Sequence, residues 1–182
     1  DKTYSKIGAW VKNFEFNPIK MRIPIPPTVI LQMDFTQQWG LAASHQALED
    51  YGYPDRIIDN ERMAVILGNA NAGERHYRST MRILIPEYID ALQKTESFKN
   101  LPTAIQNQLM DGMRVNVQGL IPDITEDTMS GELSNIIAGR IANVFNFSGP
   151  NFVTDAACAS SLSAIQAAVN GLNNYQFDAV LT

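Results

Sequence analysis

The chemistry that this sequence can offer centres on its single cysteine, Cys158, which stands between a short run of strand character and a longer run of helix character. Residues 151–172 read in order as a short strand, a tight turn that holds Cys158, and a helix. Beyond the turn, Leu162, Ile165, Val169 and Leu172 recur at steps of three and four, the period of a helix face. Ser160, Ala164, Ala167 and Gly171 recur at helical spacing on the other side, and this predicts a helix packed on both faces in the middle of a domain. Unpaired N–H groups and the dipole at a helix N-terminus favour a thiolate. The same N–H groups can hold the oxyanion that develops during acyl transfer. The competing reading is an inert thiol, because free cysteine is among the most buried residue types.

The elements that must position this thiol are read along the chain. Residues 8–34 carry Pro18, Pro24, Pro26 and Pro27, which argue against a long helix there. Asp34 followed three residues later by Gln37 predicts a capping box. The helix after it runs to about Tyr51, with Trp39, Ala43, Ala47 and Tyr51 stepping by four, and Gly52 ends it. Met63 to Leu67 is a continuous apolar run, the mark of a strand buried on both faces. The glycine-bearing stretch Gly68 to Gly73 lacks the spacing of a phosphate loop and is read as a turn. Residues 74–128 are expected to form a helical insertion over the rim of the site, with candidate helices at 77–84 and 101–109. A further helix is predicted from Gly131 to about Phe145, on the stripe Leu133, Ile136, Ile137, Ile141 and Val144. Arg140 lies inside that stripe, so its guanidinium requires a carboxylate or carbonyl partner and is read as structural.

Composition narrows the partners. The chain has 182 residues, 45% hydrophobic and 18% charged, the balance of one ordinary globular domain. A net charge of −5 argues against a nucleic-acid surface, and one cysteine excludes an internal disulfide framework. No apolar run approaches the roughly 20 residues of a membrane span. A reducing, cytoplasmic setting is therefore expected. The two histidines, His45 and His76, have no cysteine or histidine at ligand spacing, so no metal is expected. The chain opens without methionine and closes on the strand pattern of Phe177 to Thr182, which leads to the expectation that residues 1–182 are an internal piece of a larger protein with both ends truncated.

Several stretches share wording with a known family. Gly149-Pro150 followed by Asp155-Ala-Ala-Cys158-Ala-Ser-Ser-Leu162 closely resembles the active-site signature of β-ketoacyl synthases, whose usual wording is nearer Asp-Thr-Ala-Cys-Ser-Ser-Ser-Leu. The departures, Ala156 and Ala159, are small-for-small changes that leave the nucleophile and its spacing intact. Phe14 to Pro18, Gln32 to Gln38, Ala47 to Tyr53 and Ala138-Gly-Arg140 resemble further segments of the same family. Lys20 to Pro27 and Met129 to Asn135 tilt the resemblance toward iterative type I polyketide synthases and polyunsaturated fatty-acid synthases.

The resemblance implies the N-terminal half of an α/β, thiolase-like fold, layered α-β-α-β-α, with the helical insertion at 74–128. It implies an acyltransferase of the 3-oxoacyl-[acyl-carrier-protein] synthase type, in which Cys158 accepts an acyl group and a malonyl unit then condenses with it by decarboxylation. The implied partners are an acyl carrier protein with its phosphopantetheine arm, the remaining half of the ketosynthase domain and a second copy of the protein. No directly bound cofactor is implied. The family's catalytic histidines and accompanying lysine belong to the half that is not in this sequence, and neither His45 nor His76 matches them. Alternatives are a thiolase-type acyltransferase, a non-catalytic chain-length factor, and a non-elongating ketosynthase that serves as a carrier-binding module.

Overall fold

The structure is a computed structural model and describes residues 4–5, 7–70 and 73–182. Three short strands form a parallel sheet in the order β2-β1-β3, with β1 Met63–Gly68, β2 Asn151–Thr154 and β3 Ala179–Leu181. Val65 to Gly68 register with Asn151 to Thr154, and Met63 to Val65 with Ala179 to Leu181. The central strand is buried on both faces, as its unbroken apolar run predicts. Its side chains alternate between two cores. Met63 and Val65 join Leu41, Leu48, Ile137 and Ile141 on one face, while Ala64 and Ile66 join Ala164, Ala168 and Phe177 on the other.

The first face is covered by α2 (Phe35–Tyr51) and α8 (Ile136–Phe145), and the second by α9 (Ser160–Asn173). Before α2 lies the short α1, Pro27–Gln32, at the end of the proline-rich segment that excludes a long helix. Between β1 and α8 run α3 (Glu74–Ile83), α4 (Ile85–Gln93), α5 (Glu96–Lys99), α6 (Thr103–Gln118) and α7 (Asp127–Glu132). Part of the stretch Gly68 to Gly73, residues 71 and 72, lies outside the described residues, as do residues 1–3 and 6. Among the described residues no helix is long and apolar enough to cross a membrane.

The start of α2 is capped differently from the expected capping box. Asp34 accepts from the Thr36 N–H at 2.9 Å, and its other oxygen accepts from the Arg75 N–H at 2.8 Å. One carboxylate therefore caps α2 and the first turn of α3 together. Gly73 allows this, because a Cβ there would collide with the Asp34 carboxylate. Gln37, free of the cap, is buried and reaches residues 93 positions away, donating to the Ser130 carbonyl at 2.8 Å. The buried face of α2 is accordingly Gln37, Leu41, Ser44 and Leu48, while Trp39, Ala43, Ala47 and Tyr51, the predicted stripe, are exposed.

The helix predicted from Gly131 to Phe145 is two helices with a break at Leu133–Asn135. The cause is competition for carbonyl groups. The Gly131 oxygen accepts from the Asp34 N–H at 2.9 Å and the Ser130 oxygen accepts from Gln37, so neither closes a helical turn beyond α7. A Cβ at Gly131 would also strike the Gln32 carbonyl. The insertion is anchored at this same end of α2. Arg75 donates to Gln32 Oε1 at 2.7 Å and Ser79 to the buried Glu132, while Arg82 donates to Asp123 at 2.8 Å within the insertion.

Asp34 should be the most sensitive cap in the molecule. Replacing it by alanine removes two caps at about 1 kcal/mol each and is expected to lower stability by about 2 kcal/mol. Asp34→Asn, which keeps one acceptor, should lose about half as much. Denaturant unfolding of the three proteins checks both values.

Candidate active site

The thiol sits where the sequence places it, at the join between strand and helix. Strand β2 ends at Thr154, a one-turn 3-10 helix covers Ala157–Ala159, and α9 starts at Ser160. Thr154 pairs in register with Gly68, so the turn emerges at the carboxyl ends of two parallel strands. This edge of an open α/β sheet is where ligands of such folds bind. Cys158 is exposed, contrary to the reading of an inert buried thiol.

The hydrogen bonds of the turn are made by the N–H groups on either side of Cys158. Ala157 N–H donates to Asp155 Oδ1 at 2.9 Å, Ala156 N–H donates to Ser160 Oγ at 3.0 Å, and Ala159 N–H donates to the Ala156 carbonyl at 3.0 Å. The N–H of Cys158 enters none of these bonds. A groove of about 450 Å³ opens next to the turn, between Thr36, Trp39 and Gly40 of α2, Leu67 to Asn69 at the end of β1, and Ser161, Ala164 and Ile165 of α9.

The helix itself is packed on one face only. Ser160, Ala164, Ala168 and Gly171 are buried against the sheet, whereas Leu162 is 71% exposed and Ile165, Val169 and Leu172 between 37% and 48%. The large apolar face, expected to need a partner layer from the rest of the domain, is open here. The small face is inside because the helix lies close over the sheet: a Cβ at Gly68 of β1 would strike the Ser160 carbonyl, and one at Gly171 would overlap the Phe177 ring.

Arg140 has the partners predicted for a guanidinium on an apolar stripe, and one more. It donates from Nε to Gln37 Oε1 at 2.8 Å and from a terminal nitrogen to the Ser130 carbonyl at 3.3 Å. Burial holds this guanidinium below its ordinary range, and the Asp127 carboxylate partly offsets that. The arginine thus joins α8 to α2 and α7, a structural task. The histidines lie elsewhere. His45 is half-buried on α2, 4.0 Å from Glu49, and His76 on α3 is 3.4 Å from the buried Glu132. Among the described residues no three His, Cys, Asp or Glu side chains gather in a way that could hold a metal ion. Thr154, Ser160 and Gly68 do not stand out from the sequence as parts of the site. A serine two places after the cysteine is the available signal, but it reads as one more small residue on a helix face.

Comparison with known proteins gives concordant results. A family model described as the β-ketoacyl synthase N-terminal domain matches residues 1–182. A polyunsaturated fatty acid synthase polypeptide of Thraustochytrium sp. is 26% identical over 185 residues, covering 100% of this chain and 6% of that protein. Highly reducing polyketide synthase 19 of Pyricularia oryzae is 44% identical over 54 residues, 30% of this chain and 2% of that protein. The chain thus spans only a small part of the length of these curated relatives. A β-ketoacyl synthase crystal structure from Burkholderia phymatum superposes with a TM-score of 0.55 at 18% identity, covering 91% of this chain and 32% of that one. That likeness shows the thiolase-like fold.

The structural assignment of Arg140 has a direct test. Arg140→Met leaves the buried Gln37 Oε1 without its donor and is expected to cost about 1–3 kcal/mol of stability. The alkylation rate of Cys158 in the folded variant should match that of the parent. Denaturant unfolding and iodoacetamide labelling read the two quantities separately.

Proposed function

Because the chain belongs to the family of β-ketoacyl synthase N-terminal domains, we propose that Cys158 is the acyl-accepting nucleophile of a condensing enzyme in polyketide or fatty-acid biosynthesis. The observation that carries this reading is the exposed thiol on the strand-to-helix turn, at the carboxyl ends of β1 and β2, with its own N–H outside the bonds of the turn.

The chemistry follows in two steps. The Cys158 thiolate attacks the carbonyl carbon of an acyl thioester carried on the phosphopantetheine arm of an acyl carrier protein, and the oxyanion forms beside the Cys158 N–H. Collapse of the tetrahedral adduct expels the carrier thiolate and leaves the acyl group on sulfur. A malonyl thioester then loses carbon dioxide, and its carbanion attacks the acyl-cysteine carbonyl. The new carbon–carbon bond forms, Cys158 leaves as thiolate, and a 3-oxoacyl chain stays on the carrier. Proton handling in the second step belongs to groups outside residues 1–182, since His45 and His76 stand on α2 and α3, not on the turn. A free, exposed thiol of this kind suits a reducing, cytoplasmic setting.

The open face of α9 supports a larger assembly. Leu162, Ile165, Val169 and Leu172 form a contiguous apolar stripe of a kind that soluble monomers seldom leave bare. A second half of the ketosynthase domain is the proposed cover, and a homodimer is the proposed assembly of the whole.

The test is a condensation assay on the full natural chain that carries residues 1–182, supplied with acyl- and malonyl-carrier thioesters. Cys158→Ala should lower condensation by about a thousandfold or more, in line with removal of a covalent nucleophile. Retained condensation would reject the assignment. Exchange of acyl groups with a coenzyme A thioester, without loss of carbon dioxide, would favour the thiolase-type reaction instead.

A further inference from the structure

We propose that Ser160 and Thr154 are positioning residues that hold the Cys158 turn in its reactive shape, an inference that rests on the assignment of Cys158 as nucleophile. Ser160 is 4% exposed, and its hydroxyl is used twice. It accepts from the Ala156 N–H at 3.0 Å and donates to the Ala157 carbonyl at 2.6 Å. These groups belong to the two residues immediately before Cys158. One hydroxyl from the first turn of α9 therefore clamps the backbone that leads into the nucleophile.

That backbone needs a clamp. Ala157 has φ +50°, in the left-handed region that costs a non-glycine residue on the order of 1 kcal/mol or more. The residue stays there because its N–H is held by Asp155 and its carbonyl by Ser160. A second hydroxyl supports the first. Thr154 Oγ1 donates to the Ser160 carbonyl at 3.1 Å, joining the last residue of β2 to the start of α9 beneath the turn.

A third observation fixes the height of the clamp above the sheet. A Cβ at Gly68 would collide with the carbonyl of Ser160 and the nitrogen of Ser161, so the first turn of α9 rests directly on the end of β1. Thr154 pairs with this same Gly68 in the sheet. The turn is thus tied on both sides: hydroxyls hold it to β2 and to itself, and close backbone contact sets it on β1. Loosening either tie shifts the backbone that carries the sulfur, without touching the sulfur or any substrate.

The experiment uses the full natural chain and reads the second-order rate constant for iodoacetamide alkylation of Cys158 at neutral pH, beside the melting temperature. Ser160→Ala and Thr154→Val are each expected to slow alkylation by about tenfold or more, the scale on which a misplaced reactive group loses rate. Thr154→Ser keeps the hydroxyl and should restore the parent rate. If Ser160→Ala does not fold, Thr154→Val, which is nearly isosteric, decides. Unchanged alkylation in the folded variants, or the same loss in Thr154→Ser as in Thr154→Val, would overturn the proposal. Neither readout requires turnover. Condensing activity that survives Cys158→Ala would instead defeat the assignment of the nucleophile, and the two failures are told apart.

Discussion

The close seating of α9 on the parallel sheet governs the site, because the helix and the cysteine turn are one continuous piece of chain. Large side chains on the inner face would lift the helix by several ångströms; here Ser160, Ala164, Ala168 and Gly171 let it down onto β1 and Phe177. Gly68 and Gly171 mark the two ends of this contact, since a Cβ at either would collide across it. Once the helix is down, the turn from Thr154 to Ser160 has little freedom left. It crosses a short gap and passes through a left-handed residue at Ala157, which side-chain hydrogen bonds hold there. The thiol is presented at the carboxyl end of the sheet as a consequence of packing below it.

On the other face of the sheet a polar network does comparable work. Gln37, Arg140 and the Ser130 carbonyl join α2, α8 and the end of α7, while Asp34 ties α2 to α3 and to Gly131. These groups are buried or half-buried and hydrogen-bonded, the condition under which polar groups inside a protein stabilise rather than destabilise it. Burial holds the Arg75 guanidinium below its ordinary range, with Glu132 and Asp34 opposing that shift. The helical insertion is thereby attached at the N-terminal end of α2.

Much of the site was legible in the sequence because its signals are local. Strand, turn and helix follow one another within residues 151–173, and the proposed chemistry rests on the family wording around Cys158. The Met63 to Leu67 strand and the Gly52 helix end were legible for the same reason, each being written in its own few residues. What escaped was decided at long range. Gln37 read as a capping partner because it lies three residues after Asp34, yet its amide is claimed by Ser130, 93 positions away. The helix from Gly131 read as continuous because its apolar period is continuous, yet its first carbonyls are taken by α2. The face of α2 escaped for a related reason: its bulky stripe from Trp39 to Tyr51 lies outside, while Gln37, Leu41, Ser44 and Leu48 lie inside. The small face of α9 was legible as a close backbone contact, and its large face as one that needs a partner layer.

The central claim is that the Cys158 sulfur becomes covalently acylated by a carrier-bound thioester. The direct measurement is mass spectrometry of the full natural chain after brief exposure to an acyl-carrier thioester with malonyl substrate withheld, followed by proteolysis and mapping of the modified peptide. The account predicts one acyl group per chain, located at Cys158, that is released by hydroxylamine and discharged when malonyl-carrier thioester is added. An unmodified Cys158 peptide with the acyl group on another residue, or turnover with no adduct at any time, would contradict it.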